Sequence, residues 1–173
     1  ARLIEEKEGQ FHTYGDPTEG ALVVAAAKMG FWKSSLDGTF PRASEVPFDS
    51  DRKRMTTVHE LKEYDPALLV GVNVSGKSYL AFTKGSVDGL LEVASHVLVN
   101  REIRELDAHW RERIEASNTR LAGKGMRVLG VTVRPLDQIP DAQSIETQGI
   151  FIGLFGMIDP PREEVRDAVA LTR

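Results

Sequence analysis

Phe48-Asp49-Ser50-Asp51-Arg52-Lys53-Arg54-Met55-Thr56-Thr57-Val58-His59 lays out a turn and the strand that leaves it. An apolar ring stands at the lip of a charged turn, and a β-branched run follows. Asp49, Ser50 and Asp51 favour a turn through local side-chain to backbone bonding. Glu45 to Phe48 and Met55 to Glu60 then read as two strands about that turn. The ring is either a core residue of a plain hairpin or a flat platform beside cations, where a base stacks and a phosphate is met.

Working outward, the N-terminal side carries Asp16-Pro17-Thr18-Glu19 and then an apolar run of small residues ending at Gly30. Asp at the N-cap, Pro at the first helical position and Glu as capping-box partner predict a helix start. Gly30 is its stop. Residues 1–15 are polar and mixed and give no clear element. Leu36 to Ala43 reads as loop, with Asp37-Gly38 a turn signal.

On the C-terminal side, Leu68 to Val74 and Tyr79 to Thr83 read as strands joined by Ser75-Gly76-Lys77-Ser78, an antiparallel hairpin. Ser86 to Ala94 reads as a short helix. Arg101 to Leu121 reads as a longer one, with Ile103, Leu106, Trp110, Ile114 and Leu121 at three- and four-residue steps. Met126 to Val133 and Gly149 to Ile158 complete the strands. Asp159-Pro160-Pro161 stops the last of them, and Arg162 to Leu171 opens another helix. The fold class expected is α+β, a mostly antiparallel twisted sheet flanked by helices.

The 173 residues are 41% hydrophobic and 28% charged, enough for a real core in one domain. A net charge of -4 argues against nucleic acid as a partner. With no cysteine and four scattered histidines, no structural metal is expected. Ile150 to Ile158 falls well short of the roughly 20 apolar residues a spanning helix needs. The start at Ala1-Arg2-Leu3, without Met, suggests a piece of something larger.

Gly71-Val72-Asn73-Val74-Ser75-Gly76-Lys77-Ser78 satisfies the G-x-x-x-x-G-K-S phosphate-loop pattern letter for letter. That chemistry needs a helix N-terminus directly after the loop. Val72 and Val74 instead continue a strand, and Tyr79-Leu80-Ala81-Phe82 begins another. The match is chance. The alternative it represents is a stand-alone P-loop NTPase or kinase using residues 71–78.

Four residues outside the turn have two readings each. Lys84-Gly85 at a strand end is either an anion-facing corner or a solvated Lys with a Gly turn. Glu19 is either a capping partner or an acceptor for an amino group. Arg127 in an apolar strand needs a partner, either a phosphate or a protein carboxylate. Asp159 is either catalytic or, with two prolines after it, rigid punctuation.

Taken together, the segments resemble the nucleotide-binding (N) domain of P-type cation-transporting ATPases, closest to the calcium-pump branch of type II and its bacterial members. They are Gly15-Asp16-Pro17-Thr18-Glu19-Gly20-Ala21-Leu22, Phe48 to Met55, Phe82-Thr83-Lys84-Gly85, Gly125-Met126-Arg127-Val128-Leu129 and Gly156-Met157-Ile158-Asp159-Pro160-Pro161-Arg162. The resemblance implies a cytosolic domain that holds ATP by its adenine end and delivers the γ-phosphate to a separate phosphorylation domain. It implies that the ring matching Phe48 stacks on adenine and the acid matching Glu19 contacts the base. The lysine matching Lys84, with Gly85, lines the pocket, and the arginine matching Arg127 reaches phosphate. Met55 and Leu129 match its walls. Ser50 stands where animal calcium pumps carry a phosphate-contacting arginine, and Lys84-Gly85-Ser86-Val87-Asp88 replaces the usual Lys-Gly-Ala-Pro-Glu.

The boundaries expected are a nucleotide-binding domain over 1–158, then 159–173 as hinge and start of the phosphorylation domain. The family's phosphoacceptor and metal motifs are not in this sequence, so the chain is expected to bind ATP and ADP without hydrolysing ATP. Mg²⁺ would come with ATP, on ligands outside this chain. The partners implied are the phosphorylation and actuator domains of the same pump, at the cytoplasmic face of the cell membrane. Direct membrane contact is not expected, and the fragment is expected to be monomeric.

Overall fold

The computed structural model describes residues 1–5 and 11–158. Asp159-Pro160-Pro161, the helix expected over 162–171 and the hinge expected over 159–173 lie outside the described residues. The elements are β1 (Arg2–Glu5), β2 (Phe11–Tyr14), α1 (Pro17–Lys28), α2 (Lys33–Thr39), β3 (Arg42–Asp49), β4 (Arg54–Glu60) and β5 (Tyr79–Gly85). They continue as α3 (Val87–Val93), β6 (Ala94–Val99), β7 (Glu102–Glu105), α4 (Ala108–Ala122), β8 (Arg127–Leu136) and β9 (Gly149–Met157). β1 and β2 form a small antiparallel pair. The main sheet has seven strands in the order β3-β4-β5-β8-β9-β6-β7, antiparallel except where β6 meets β9. The α+β expectation holds.

Alternation along the central strands divides the molecule into two layers. Opposite one another on one face lie Met55, Lys84 and Val131, and on the other Thr56, Thr83 and Thr132. The threonine row is buried, as are Val58, Ala81 and Ile145 on the same side. Further along that face, Val87, Leu90 and Leu91 of α3 and Ile114 of α4 pack with Phe151 of β9. A Cβ on Gly130 would come within 2.9 Å of Leu90, so glycine there lets α3 lie close on β8.

α1 begins as its capping residues dictate. The Asp16 carboxylate accepts from the Glu19 amide at 3.0 Å, and Pro17 opens the helix. Gly30, at φ +84°, follows its end. The Glu19 carboxylate, expected as a capping-box partner, is instead directed across to Lys84.

Three expectations are corrected. The loop expected over Leu36 to Ala43 instead holds the second half of α2, a helix in which Lys33 and Asp37 pair one turn apart, and then the start of β3. The strand and hairpin expected over Leu68 to Val74 do not form. Pro66–Leu69 is a 3₁₀ turn capped by Asp65, and both edges of β5 are taken by β4 and β8. Leu69, Val72 and Val74 spend their apolar surface on Leu80, Val133 and Ile150 instead. The helix expected from Arg101 starts only at Ala108, because Asp107 caps it and Glu102–Glu105 pairs with β6. β1, β2 and β6 had no counterpart in the sequence reading.

Candidate functional site

The turn between β3 and β4 is built by its own side chains. One oxygen of Asp49 accepts from the amides of Asp51 at 3.0 Å and Arg52 at 2.9 Å. The Arg52 amide lowers the Asp49 carboxyl below its ordinary range, and the Asp51 amide adds to this. Lys53, with φ 52°, closes the turn in the left-handed region, and its carbonyl accepts from the Ser86 amide at 3.0 Å. A Cβ on Gly85 would lie 2.5 Å from that carbonyl oxygen, so only glycine lets the end of β5 pass beneath the turn. Ser86 then caps α3, its hydroxyl accepting from the Gly89 amide.

Phe48 stands at the lip of this turn with 64% of its surface exposed. That removes the reading of Phe48 as a core residue. Across from it, Lys84 donates to Glu19 at 2.9 Å and joins β5 to α1. The hydrogen bond from Lys84, with that from the Ala1 ammonium next, holds the Glu19 carboxyl down to about 2. Arg127 donates to the Thr18 hydroxyl at 2.9 Å and is exposed, so the protein group it meets is a hydroxyl rather than a carboxylate.

These side chains surround one cavity of about 360 Å³, lined by Asp16, Thr18, Glu19, Phe48, Met55, Lys84, Gly85, Arg127 and Leu129. Seven of the eight expected site residues meet there. Ser50, the eighth, is exposed in the turn and does not line it. A second cavity of about 980 Å³ continues beyond, sharing Glu19, Met55 and Lys84. The first has the parts a nucleotide needs: a bare aromatic face, apolar walls in Met55 and Leu129, paired charges and a cation near the rim.

Sequence reasoning missed Thr18 and, on the opposite face of the sheet, Glu146. Thr18 carried only helix-start signals. Glu146 lies between the strands expected over Met126 to Val133 and Gly149 to Ile158, where no element was expected, yet it is 3% exposed. It accepts from Arg52 at 2.5 Å, Arg54 at 2.9 Å and Thr56 at 3.1 Å. Burial opposes its ionisation most, but these donors together hold its carboxyl below the ordinary value.

The phosphate-loop match at residues 71–78 gathers no such site. Val72 and Val74 lie outside any strand, but the segment after Ser78 is β5, not a helix. The Lys77 ammonium sits on both oxygens of Asp137, at 3.0 and 2.9 Å.

Among the described residues, no helix is long and apolar enough to cross a membrane. A calcium-transporting ATPase of Bacillus cereus is 38% identical over 90% of this chain and 16% of its own length. A calcium-transporting ATPase of Bacillus subtilis is 34% identical over 96% and 17%. A cation-transporting ATPase of Synechocystis is 36% identical over 96% and 17%. The chain thus spans about a sixth of the length of these relatives. The family model described as P-type ATPase, cytoplasmic domain N, matches residues 1–164, and the chain belongs to that family of cation pumps as its cytoplasmic domain N.

Proposed function

We propose that this chain binds ATP by its adenine end and presents the γ-phosphate to a separate phosphorylation domain of the same pump. The observation that carries this reading is the convergence of Phe48, Lys84, Glu19 and Arg127 on one cavity from four separate segments. Phe48 offers a stacking face, worth roughly 1–3 kcal/mol per base. The Glu19 carboxylate accepts from an amino group while the Lys84 ammonium donates to a ring nitrogen. Arg127, at the rim, exchanges its bond to Thr18 for one to phosphate, where a charge-assisted contact is stronger. Mg²⁺ would arrive with ATP, on ligands outside this chain, and in the whole pump ATP hydrolysis would drive cation transport at the cytoplasmic face of the membrane. Relatives named as calcium pumps favour calcium as the ion.

The test is calorimetry on the isolated chain with ATP, ADP and AMP. Binding is expected to be weak and similar for ATP and ADP, because the base supplies most of the contact. ATP binding far tighter than AMP would mean a complete phosphate site elsewhere and would overturn the proposal. No steady-state hydrolysis is expected.

A further inference from the structure

Phe48 has an exposed ring, so packing does not fix where it stands. Nor does the strand ladder. The β3–β4 register runs from Val46 opposite Thr56 to Asp49 opposite Arg54, and Pro47 and Phe48 fall in the irregular gap between. Pro47 has no amide hydrogen to offer, and its carbonyl is held by a side chain: Arg52 Nη2 donates to it at 3.0 Å. The other arm of that guanidinium, Nη1, donates to Glu146 Oε2.

We propose that Glu146 is the positioning residue of the pocket, fixing the Phe48 platform against the strand that carries Lys84. This rests on the reading of the pocket as an adenine site. One route runs from Glu146 through Arg52 to Pro47, the residue before Phe48. A second runs from Glu146 Oε1 to Thr56, whose hydroxyl lies 2.8 Å from that of Thr83, the residue before Lys84. A third runs through Arg54, which bonds Glu146 by Nε and reaches the carbonyl of Gly89 in α3 by Nη1 at 3.3 Å. One buried carboxylate therefore reaches the backbone next to Phe48 through Arg52, and the side chain next to Lys84 through Thr56, from the opposite face of the sheet. A neutral residue of the same size fills the space but cannot hold two guanidinium groups in register.

The experiment combines three measurements on the native chain, Glu146→Gln, Arg52→Gln, Phe48→Ala and Glu146→Gln/Phe48→Ala. They are titration with ATP, ADP and AMP, thermal unfolding, and backbone amide spectra without nucleotide. Arg52→Gln leaves Glu146 on Arg54 and Thr56 but releases Pro47, so it separates positioning from general stability. Glu146→Gln and Arg52→Gln are each expected to weaken all three nucleotides by the same factor, about tenfold. Amide shifts should concentrate in residues 47–53, and for Glu146→Gln also in 83–86. In the Phe48→Ala background, Glu146→Gln should add little further weakening, since the platform it positions is gone.

If the native chain binds and the folded variants bind equally well, the inference is overturned while the pocket reading stands. Equal weakening with and without Phe48 would also overturn it, because Glu146 would then act through something other than the ring. A native chain that binds no adenine nucleotide overturns the pocket reading, and this inference falls with it.

Discussion

Replacing Phe48 with Ala separates stability from binding, because the two effects have different sizes here. A fully buried Phe cut to Ala costs about 3–5 kcal/mol. Phe48 keeps 64% of its surface in solvent, so only about a third of that burial is at stake. The stability loss should be about 1 kcal/mol, which moves Tm by about 2–4 °C in a chain of this size. Binding should suffer more. Loss of a base–aromatic stack near the middle of its range, about 2 kcal/mol, weakens affinity roughly thirtyfold. Phe48→Tyr and Phe48→Trp keep a π-face at the lip of the turn, and the exposed position leaves room for either ring. Both should retain much of the affinity. The assay pairs thermal unfolding with nucleotide titration on the same three variants. A sharp fall in Tm with normal binding by the folded fraction would show that the ring is structural and the platform lies elsewhere. An unchanged dissociation constant in a stable Phe48→Ala protein would refute the stacking argument directly.

Lys84→Ala should weaken nucleotide binding, while Lys77→Ala should not, because the Lys77 ammonium is an exposed partner of Asp137; the reverse pattern in a titration would restore the phosphate-loop reading of residues 71–78. Glu19 is a carboxyl depressed in the folded chain to about 2. Its pairing therefore stabilises fully above the ordinary carboxyl value of 4.5 and loses that contribution as pH falls toward 2. Carboxyl NMR should show Glu19 titrating near the bottom of that window, and closer to its top in Lys84→Met; an unmoved titration in that variant would deny Lys84 its place. Gly85→Ala forces a methyl against the Lys53 carbonyl oxygen at 2.5 Å and the Arg54 side chain at 2.6 Å. It should cost about 1–3 kcal/mol by overpacking, read by calorimetric unfolding, and should weaken nucleotide binding by displacing the turn; native stability and affinity together would refute the close approach.

What the sequence determined by itself is what short-range chemistry settles. Asp16-Pro17-Thr18-Glu19 starts a helix because the cap acts within one turn, and Asp49 shapes its turn through amides two and three residues away. The strands read at Met55 to Glu60, Met126 to Val133 and Gly149 to Ile158 formed as β4, β8 and β9, with ends that differ by one to three residues. The candidate site was largely named in advance, because its residues stand in motifs whose order resembles a known family. Tertiary structure decided which β-branched runs are strands: Leu68 to Val74 has the composition, but β5 had no free edge to offer it. It also decided that Glu19 serves Lys84 rather than its own cap, since the ammonium that draws it away is 65 residues distant. Glu146 shows the limit most sharply. A carboxylate is buried only where donors meet it, and the guanidinium groups of Arg52 and Arg54 lie 94 and 92 residues away along the chain. No local pattern carries that pairing; the folded sheet brings the charges together.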